Sequence, residues 1–296
     1  MLDILFCVLV NVGIFICFRL FTNLKVDTFQ AIVFNYVTCV ITGAIFIGDA
    51  SIMSRTSVSE TWVLIAMGLG GIFIGTFYLM AITTQKFSMT VSSIAAKMSL
   101  IIPVLVSLFL LGIQSKQYSV LNYLGMVLAL GAIFMSSYKE KKLQANKLQL
   151  VDMLLPIMVF VFGGLIDSAI NYTNYHYLTP AEAAIFPFFI FMSAAVIGIF
   201  LLIGQRRSLS LVSIGAGVVL GVCNYFSIYF LLTSLSAFNN DGALVYPLLN
   251  VGIILLAAGV SVAFFKENLS KINLIGLLLA VLAIVFISYQ ELSAIL

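Results

Sequence analysis

Apolar residues in this chain come in long runs rather than in alternation. Stretches of spanning length fall near 2–21, 28–48, 61–82, 88–111, 118–137, 151–174, 180–203, 210–235, 241–264 and 270–290, with short polar links between them. A helix that crosses the hydrocarbon layer needs about 20 consecutive apolar residues. Ten such helices and their links account for almost all of the 296 residues. The pattern predicts an all-α membrane protein of ten transmembrane helices, because inside a bilayer a helix satisfies every backbone N–H and C=O within its own segment. Local signals mark some starts. Thr179-Pro180 pairs a capping side chain with a proline in the first turn, and Asp241-Gly242 opens the ninth run similarly. The run from Leu2 lacks a basic leading segment and a small-residue cleavage motif, so it reads as the first spanning helix and not as a signal peptide.

A shift of 151 residues lays the second half on the first. Residues 119–138 then face 270–289. Nine of those twenty positions match, among them Ser119 with Ser270, Asn122 with Asn273, Gly125 with Gly276, and Tyr138 with Tyr289. The same offset pairs Gly13 with Gly164, Asn23 with Asn174, Thr28 with Thr179, Gly70 with Gly221 and Tyr78 with Tyr229. The chain divides into a first five-helix repeat (1–138), a basic connecting loop (139–150) and a second five-helix repeat (151–296). Five is an odd number of crossings, so the second repeat enters from the opposite side and the two repeats are inverted.

Charge placement is consistent with inversion. Arg19, Lys25 and Lys86 lie after the first and third helices, and the equivalent loops after the sixth and eighth hold no Lys or Arg. Arg206, Arg207, Lys266 and Lys271 lie after the seventh and ninth, where the first-half equivalents hold only Arg55 and Lys116. With Lys139, Lys141, Lys142 and Lys147 of the central loop, one side carries eleven basic residues against two. The positive-inside rule then puts both termini outside the cytoplasm.

Composition removes other classes. The chain is 62% hydrophobic and 8% charged, with mean hydropathy +1.19 and net charge +3. A soluble protein of this length could not hide so much apolar surface, and a disordered one needs the reverse balance. The few basic residues sit between apolar runs as topology signals and make no nucleic-acid patch. Cys7, Cys17, Cys39 and Cys223 are isolated within apolar runs and read as small buried hydrophobes. The single histidine, His176, builds no metal cage, and no cofactor is implied.

Candidate chemistry lies in the polar positions inside the runs. Lys97 is nine residues beyond Ser88, hence about 13 Å into the span. A charge near the midplane costs about 2.5–3.5 kcal/mol on insertion scales, so it must meet a wet cavity or a partner. Ser93 and Thr90 share its helix face. Asp167 is the second intramembrane charge. With Gly164, Asn171 and Asn174 it makes one polar face, either pairing with Lys97 or taking a coupling proton. Glu182 opens the seventh helix, where a carboxylate favours the helix dipole; it is a second coupling candidate. Asn11, Asn35, Tyr78, Asn224, Tyr225, Tyr229, Tyr246 and Asn250 complete the candidate substrate-binding set; each is alternatively an interhelical hydrogen bond. Pro103 and Pro247 interrupt the equivalent fourth and ninth helices, Pro103 freeing the Ser99 carbonyl. Broken helices at a repeat interface point to a transport site.

The ends of the two halves resemble the drug/metabolite transporter superfamily in its ten-helix, EamA-type branch. Residues 263–284, AFFKENLSKINLIGLLLAVLAI, are similar to that family's Glu-containing turn before a Gly-containing apolar helix. In the first-half counterpart, GIQSKQYSVLNYLGMVLALGAI, Lys116 stands opposite Glu267. The resemblance implies a central cavity between inverted repeats, peripheral fifth and tenth helices, and alternating access. Small multidrug-resistance relatives carry a glutamate in the first helix; here that region is VGIFICF, and Asp167 stands opposite Ile16 in the second half. That departure argues against proton-coupled export of cationic drugs. Phosphate-translocating relatives use basic cavity residues, but Lys97 stands almost alone, which favours a carboxylate over a multiply charged phosphate.

The expectation is a secondary transporter, an exporter in the plasma (inner) membrane, for an amino acid or related carboxylate. Its partners are the metabolite, the bilayer and a proton as candidate coupling ion. A channel is one alternative class. An intramembrane enzyme is another, but Gly-x-Ser-x-Gly, HExxH and paired intramembrane His/Asp are absent.

Overall fold

A computed structural model describes residues 2–46, 56–57, 59–103, 106, 119–138, 150–205, 208–237 and 242–290. Arg55, Lys116, the basic loop from Lys139 to Lys147, Arg206, Arg207 and Asp241 lie outside the described residues. The helices are α1 (Leu2–Asn23), α2 (Thr28–Phe46), α3 (Thr61–Lys86), α4 (Met89–Met98), α5 (Val120–Ser137), α6 (Leu154–Tyr177), α7 (Pro180–Gly204), α8 (Leu211–Ala237), α9 (Gly242–Ala263) and α10 (Lys271–Ile287). No strand occurs among the described residues. Among the described residues seven helices are long and apolar enough to cross a membrane; α4, α5 and α10 are shorter apolar helices. The chain is an all-helical, multi-pass integral membrane protein.

Caps explain where the helices begin. Asp27 accepts the Phe29 and Gln30 amides at 3.1 Å each and starts α2. Ser88 accepts the Val91 amide at 3.1 Å and starts α4. Thr179 and Glu182 form a capping box with Pro180 in the first turn, as the sequence predicts for α7. Ser119 with Asn122, and Ser270 with Asn273, form capping boxes on α5 and α10.

Lipid supplies no hydrophobic drive for one apolar helix to leave it for another, so association relies on close packing and polar links. The α5–α10 pair shows both. Asn122 Nδ2 donates to the carbonyls of Phe286 (3.3 Å) and Ile287 (2.8 Å). Asn273 Nδ2 donates to those of Met135 (3.2 Å) and Ser136 (2.7 Å). The acceptors stand at the same 151-residue offset as the donors, so the two contacts are reciprocal. A Cβ on Gly125 would lie 2.9 Å from the Ala283 carbonyl oxygen, and one on Gly276 would lie 2.5 Å from the Ser136 nitrogen. Only glycine permits that backbone approach.

Elsewhere the helices of 1–138 pack mainly against those of 151–290. α1 lies on α8 and α9, α2 on α7 and α8, α3 on α6 and α7, and α4 on α6 and α9. One core gathers α1, α2, α3, α7 and α8 around Phe18, Tyr36 and Phe191. A second gathers α4, α5, α6, α9 and α10 around Met98, Ile254 and Ile284. The helix ends at one end of the bundle are tied by polar contacts. Lys86 pairs with Asp152 at 2.6 Å, and Gln30 Nε2 donates to the Ser208 carbonyl at 3.0 Å.

Gly276→Ala would push a methyl into the α5 backbone. We expect it to destabilise the protein by about 1–3 kcal/mol, read as a lowered melting temperature in detergent. Gly131→Ala should not lower that temperature, since its Cβ would come no nearer than 4.0 Å to Leu279 and alanine is the better helix former.

Candidate functional site

α4 breaks where its sequence requires. Pro103 has no amide hydrogen for the preceding turn; regular helix stops at Met98 and resumes at residues 101–103. The Ser99 carbonyl is taken instead by the Ile102 amide at 2.9 Å. Lys97 is in the last turn before this break and Ser99 is at it.

The Lys97 ammonium reaches α1. Its Nζ donates to Asn11 Oδ1 at 3.2 Å. Asn11 is held in turn, its Nδ2 donating to the Cys7 carbonyl at 2.9 Å. Cys7 Sγ donates to the Ser227 carbonyl of α8 at 3.3 Å. An ammonium has three hydrogens, and Asn11 is its hydrogen-bond partner among the described residues.

Asp167 approaches from α6. Its Oδ2 bonds Ser99 Oγ at 3.2 Å, and it interacts electrostatically with Lys97 and with Tyr246 of α9. The opposite charges do not close into an ion pair among the described residues. Asp167 is exposed, Tyr246 is 40% exposed and Lys97 is half-buried; α4 packs against both α6 and α9. These side chains meet beside the break in α4, with Asn11 halfway along α1 and Asp167 halfway along α6.

The Ser99 hydroxyl has one hydrogen and two acceptors in reach, the Ala96 carbonyl at 2.7 Å and Asp167 at 3.2 Å. When Asp167 is ionised, Ser99 donates to it. When Asp167 carries a proton, the carboxylic acid donates to Ser99 Oγ and the hydroxyl turns to Ala96. The contact therefore survives a change of protonation and reverses direction.

The predicted residues separate into groups. Lys97, Asn11, Asp167 and Tyr246 come together, and Asn250 shares the α9 face of Tyr246 one turn on. Ser93 is buried on the Lys97 face, but its hydroxyl donates to the Thr90 carbonyl of its own helix at 3.0 Å. Asn35 and Asn224 make an α2–α8 link, Asn224 Nδ2 donating to Asn35 Oδ1 at 3.2 Å, while Asn35 Nδ2 is buried with no hydrogen-bond partner among the described residues. Tyr78 stands edge-on to Phe29 in a separate groove of about 440 Å³ between α2, α3 and α7. Tyr225 and Tyr229 pack around Phe46. The Glu182 carboxylate accepts from the Thr179 amide at 2.8 Å and hydroxyl at 2.7 Å, which makes it a helix cap. Cys7 and Ser99 join the central group without being singled out from the sequence. The signal for Ser99 was its place four residues before Pro103; Cys7 gave none, since a thiol in an apolar run looks like any small hydrophobe.

Toward the end of the bundle that holds Lys86, Arg19 Nε meets Glu267 Oε1 at 3.0 Å, joining α1 to the turn after α9. Ser261 Oγ also donates to Glu267, and Arg19 Nη1 reaches the Gln85 carbonyl of α3 at 3.5 Å. The Glu267 side chain is only 7% accessible. This network ties three elements together beneath the Lys97 group.

No family model matches the chain. It is 26% identical, over 98% of both chains, to an uncharacterized protein of Haemophilus influenzae. It also resembles a protein of known crystal structure, at 14% identity, with a TM-score of 0.59 over 97% of this chain and 98% of that one. That likeness concerns the fold alone.

Proposed function

We propose that this protein is a secondary transporter of the drug/metabolite transporter type, built as two inverted five-helix repeats with ten crossings. Its substrate is an amino acid or related carboxylate, and it exports that substrate across the plasma membrane by alternating access. The reciprocal Asn122 and Asn273 contacts support the inverted arrangement, because they exchange roles under the 151-residue shift. The observation that carries the function is the unclosed pair of opposite charges, Lys97 and Asp167, brought together beside the break in α4.

A charge on a membrane-spanning segment without full compensation is costly. An ammonium and a carboxylate held apart leave room for a polar solute between them. Lys97 takes the substrate carboxylate with its remaining hydrogens, and Asn11 orients the ammonium. Tyr246 and Asn250 line the α9 wall; a tyrosine offers a flat apolar face to the rest of the solute. Ionised Asp167 takes the amino group. A proton arriving on Asp167 removes that attraction, and Ser99 keeps the carboxyl placed in either state. Proton and substrate ammonium then compete for one oxygen pair, which is the requirement of an antiporter. The Arg19–Glu267 network closes one end of the bundle and must part when the site opens there.

Two measurements test this in proteoliposomes. Lys97→Ala should lower uptake of labelled amino acid at least tenfold while the melting temperature holds; uptake at the wild-type rate would defeat the assignment. Asp167→Asn should remove the dependence of exchange on a pH gradient and retain binding of N-acetylated amino acids, which lack the ammonium. Proton-driven transport by this variant would exclude Asp167 as the coupling group.

A further inference from the structure

All four cysteines converge on seven residues of α8, Gly221 to Ser227. Cys39 of α2 donates to the Gly221 carbonyl at 3.4 Å, and Cys7 of α1 to the Ser227 carbonyl at 3.3 Å. Cys223 belongs to the segment itself, and Cys17 of α1 meets its thiol side chain to side chain. Cys7 and Cys39 are thus each engaged by a carbonyl, whereas the Cys17 and Cys223 side chains adjoin each other beside Gly13. Both thiols are free.

Backbone geometry accounts for the meeting. A helical side chain leans toward the N-terminus, over the turn before its own Cα. Cys17 therefore leans over Gly13, one turn earlier on the same face. Cys223 occupies that place from the other helix: a Cβ at Gly13 would lie 3.2 Å from Cys223 Sγ and 3.9 Å from its Cβ. Glycine at 13 leaves the space in which the two sulfurs approach. Their accessibility differs: Cys17 is buried and Cys223 is half-buried. A redox-sensing pair sets one sulfur to be oxidised beside a second that resolves it; hydrogen peroxide, small and uncharged, can reach a half-buried thiol within an apolar bundle.

We propose that Cys17 and Cys223 are an oxidation site, closed by a hydroperoxide into a reversible disulfide that ties α1 to α8. The deprotonated sulfur of Cys223 attacks one peroxide oxygen and the O–O bond breaks. Cys223 becomes a sulfenic acid, and the second oxygen leaves as water. The Cys17 sulfur, giving up its proton, then attacks the sulfenic sulfur and expels a second water. Two thiols and one hydrogen peroxide give one disulfide and two waters, each sulfur losing one electron. A dithiol reductant reverses the bond by exchange. The bond joins the helix that carries Asn11 to a helix of the other half of the chain. On the transport reading above it holds α1 in place and stops the cycle.

The full-length protein in proteoliposomes, treated with hydrogen peroxide, tests this without any substitution. Peptide mapping by mass spectrometry should find residues 17 and 223 joined, and dithiothreitol should separate them. Labelled amino-acid uptake should fall at least tenfold on oxidation and recover on reduction. Cys17→Ser and Cys223→Ser should each abolish the linked peptide, whereas Cys7→Ala and Cys39→Ala should retain it. No linked peptide in the treated wild type, or linkage through Cys7 or Cys39 instead, overturns the proposal. A linked peptide with unchanged uptake supports the oxidation site and counts against a moving α1, so failure of the transport reading is told apart from failure of the thiol pair.

Discussion

An ammonium in the last turn of an apolar bundle's broken helix sets the terms for everything around it. No carboxylate closes on Lys97 among the described residues. Its partners are one amide oxygen, that of Asn11, and the carboxylate of Asp167 held at a distance. Asn11, Ser99, Asp167 and Tyr246 come from four elements, so the group exists only through the packing of α1, α6 and α9 around α4.

The break in α4 is part of the same constraint. A continuous helix would bury the Ser99 carbonyl in a regular ladder and point its hydroxyl along the helix. Pro103 prevents that, and the turn at Ser99 and Leu100 presents a hydroxyl to Asp167. The cost of a lost helical bond is partly offset by the Ile102 amide, which takes the Ser99 carbonyl. Stability elsewhere comes from devices that need no hydrophobic drive: glycines that admit a neighbouring backbone, asparagines that bridge to carbonyls, and a buried Arg19–Glu267 pair that ties the bundle at one end.

Much of this was legible in the chain as letters. Length and hydropathy identify helices and a membrane, because the hydrocarbon layer admits few other backbone solutions. Capping residues locate starts such as Thr179-Pro180. The two charges at mid-run stand out because the bilayer makes them expensive. The Asn122–Asn273 and Gly125–Gly276 equivalences are visible as repeats before their contacts are known. Less legible was which polar residues act together. Asn35, Tyr78, Tyr225 and Tyr229 lie as deep in their runs as Asn11 and Tyr246, yet the first links two helices, the second sits in another groove, and the last two pack on Phe46. Depth within a run is a one-dimensional quantity, and the direction a side chain takes around the helix axis depends on which neighbour the helix meets.

The sequence by itself determined the class of structure, the approximate helix limits and the identity of the buried charges, since these follow from length, periodicity and the free energy of transfer into lipid. Only the tertiary structure decided that Ser99 and Cys7 stand in the central group, that Lys97 and Asp167 remain apart, and that Cys17 meets Cys223 over Gly13. Those facts depend on the rotation and crossing of helices more than a hundred residues apart in the chain. Such rotations are settled by small differences in packing that no local stretch of residues carries.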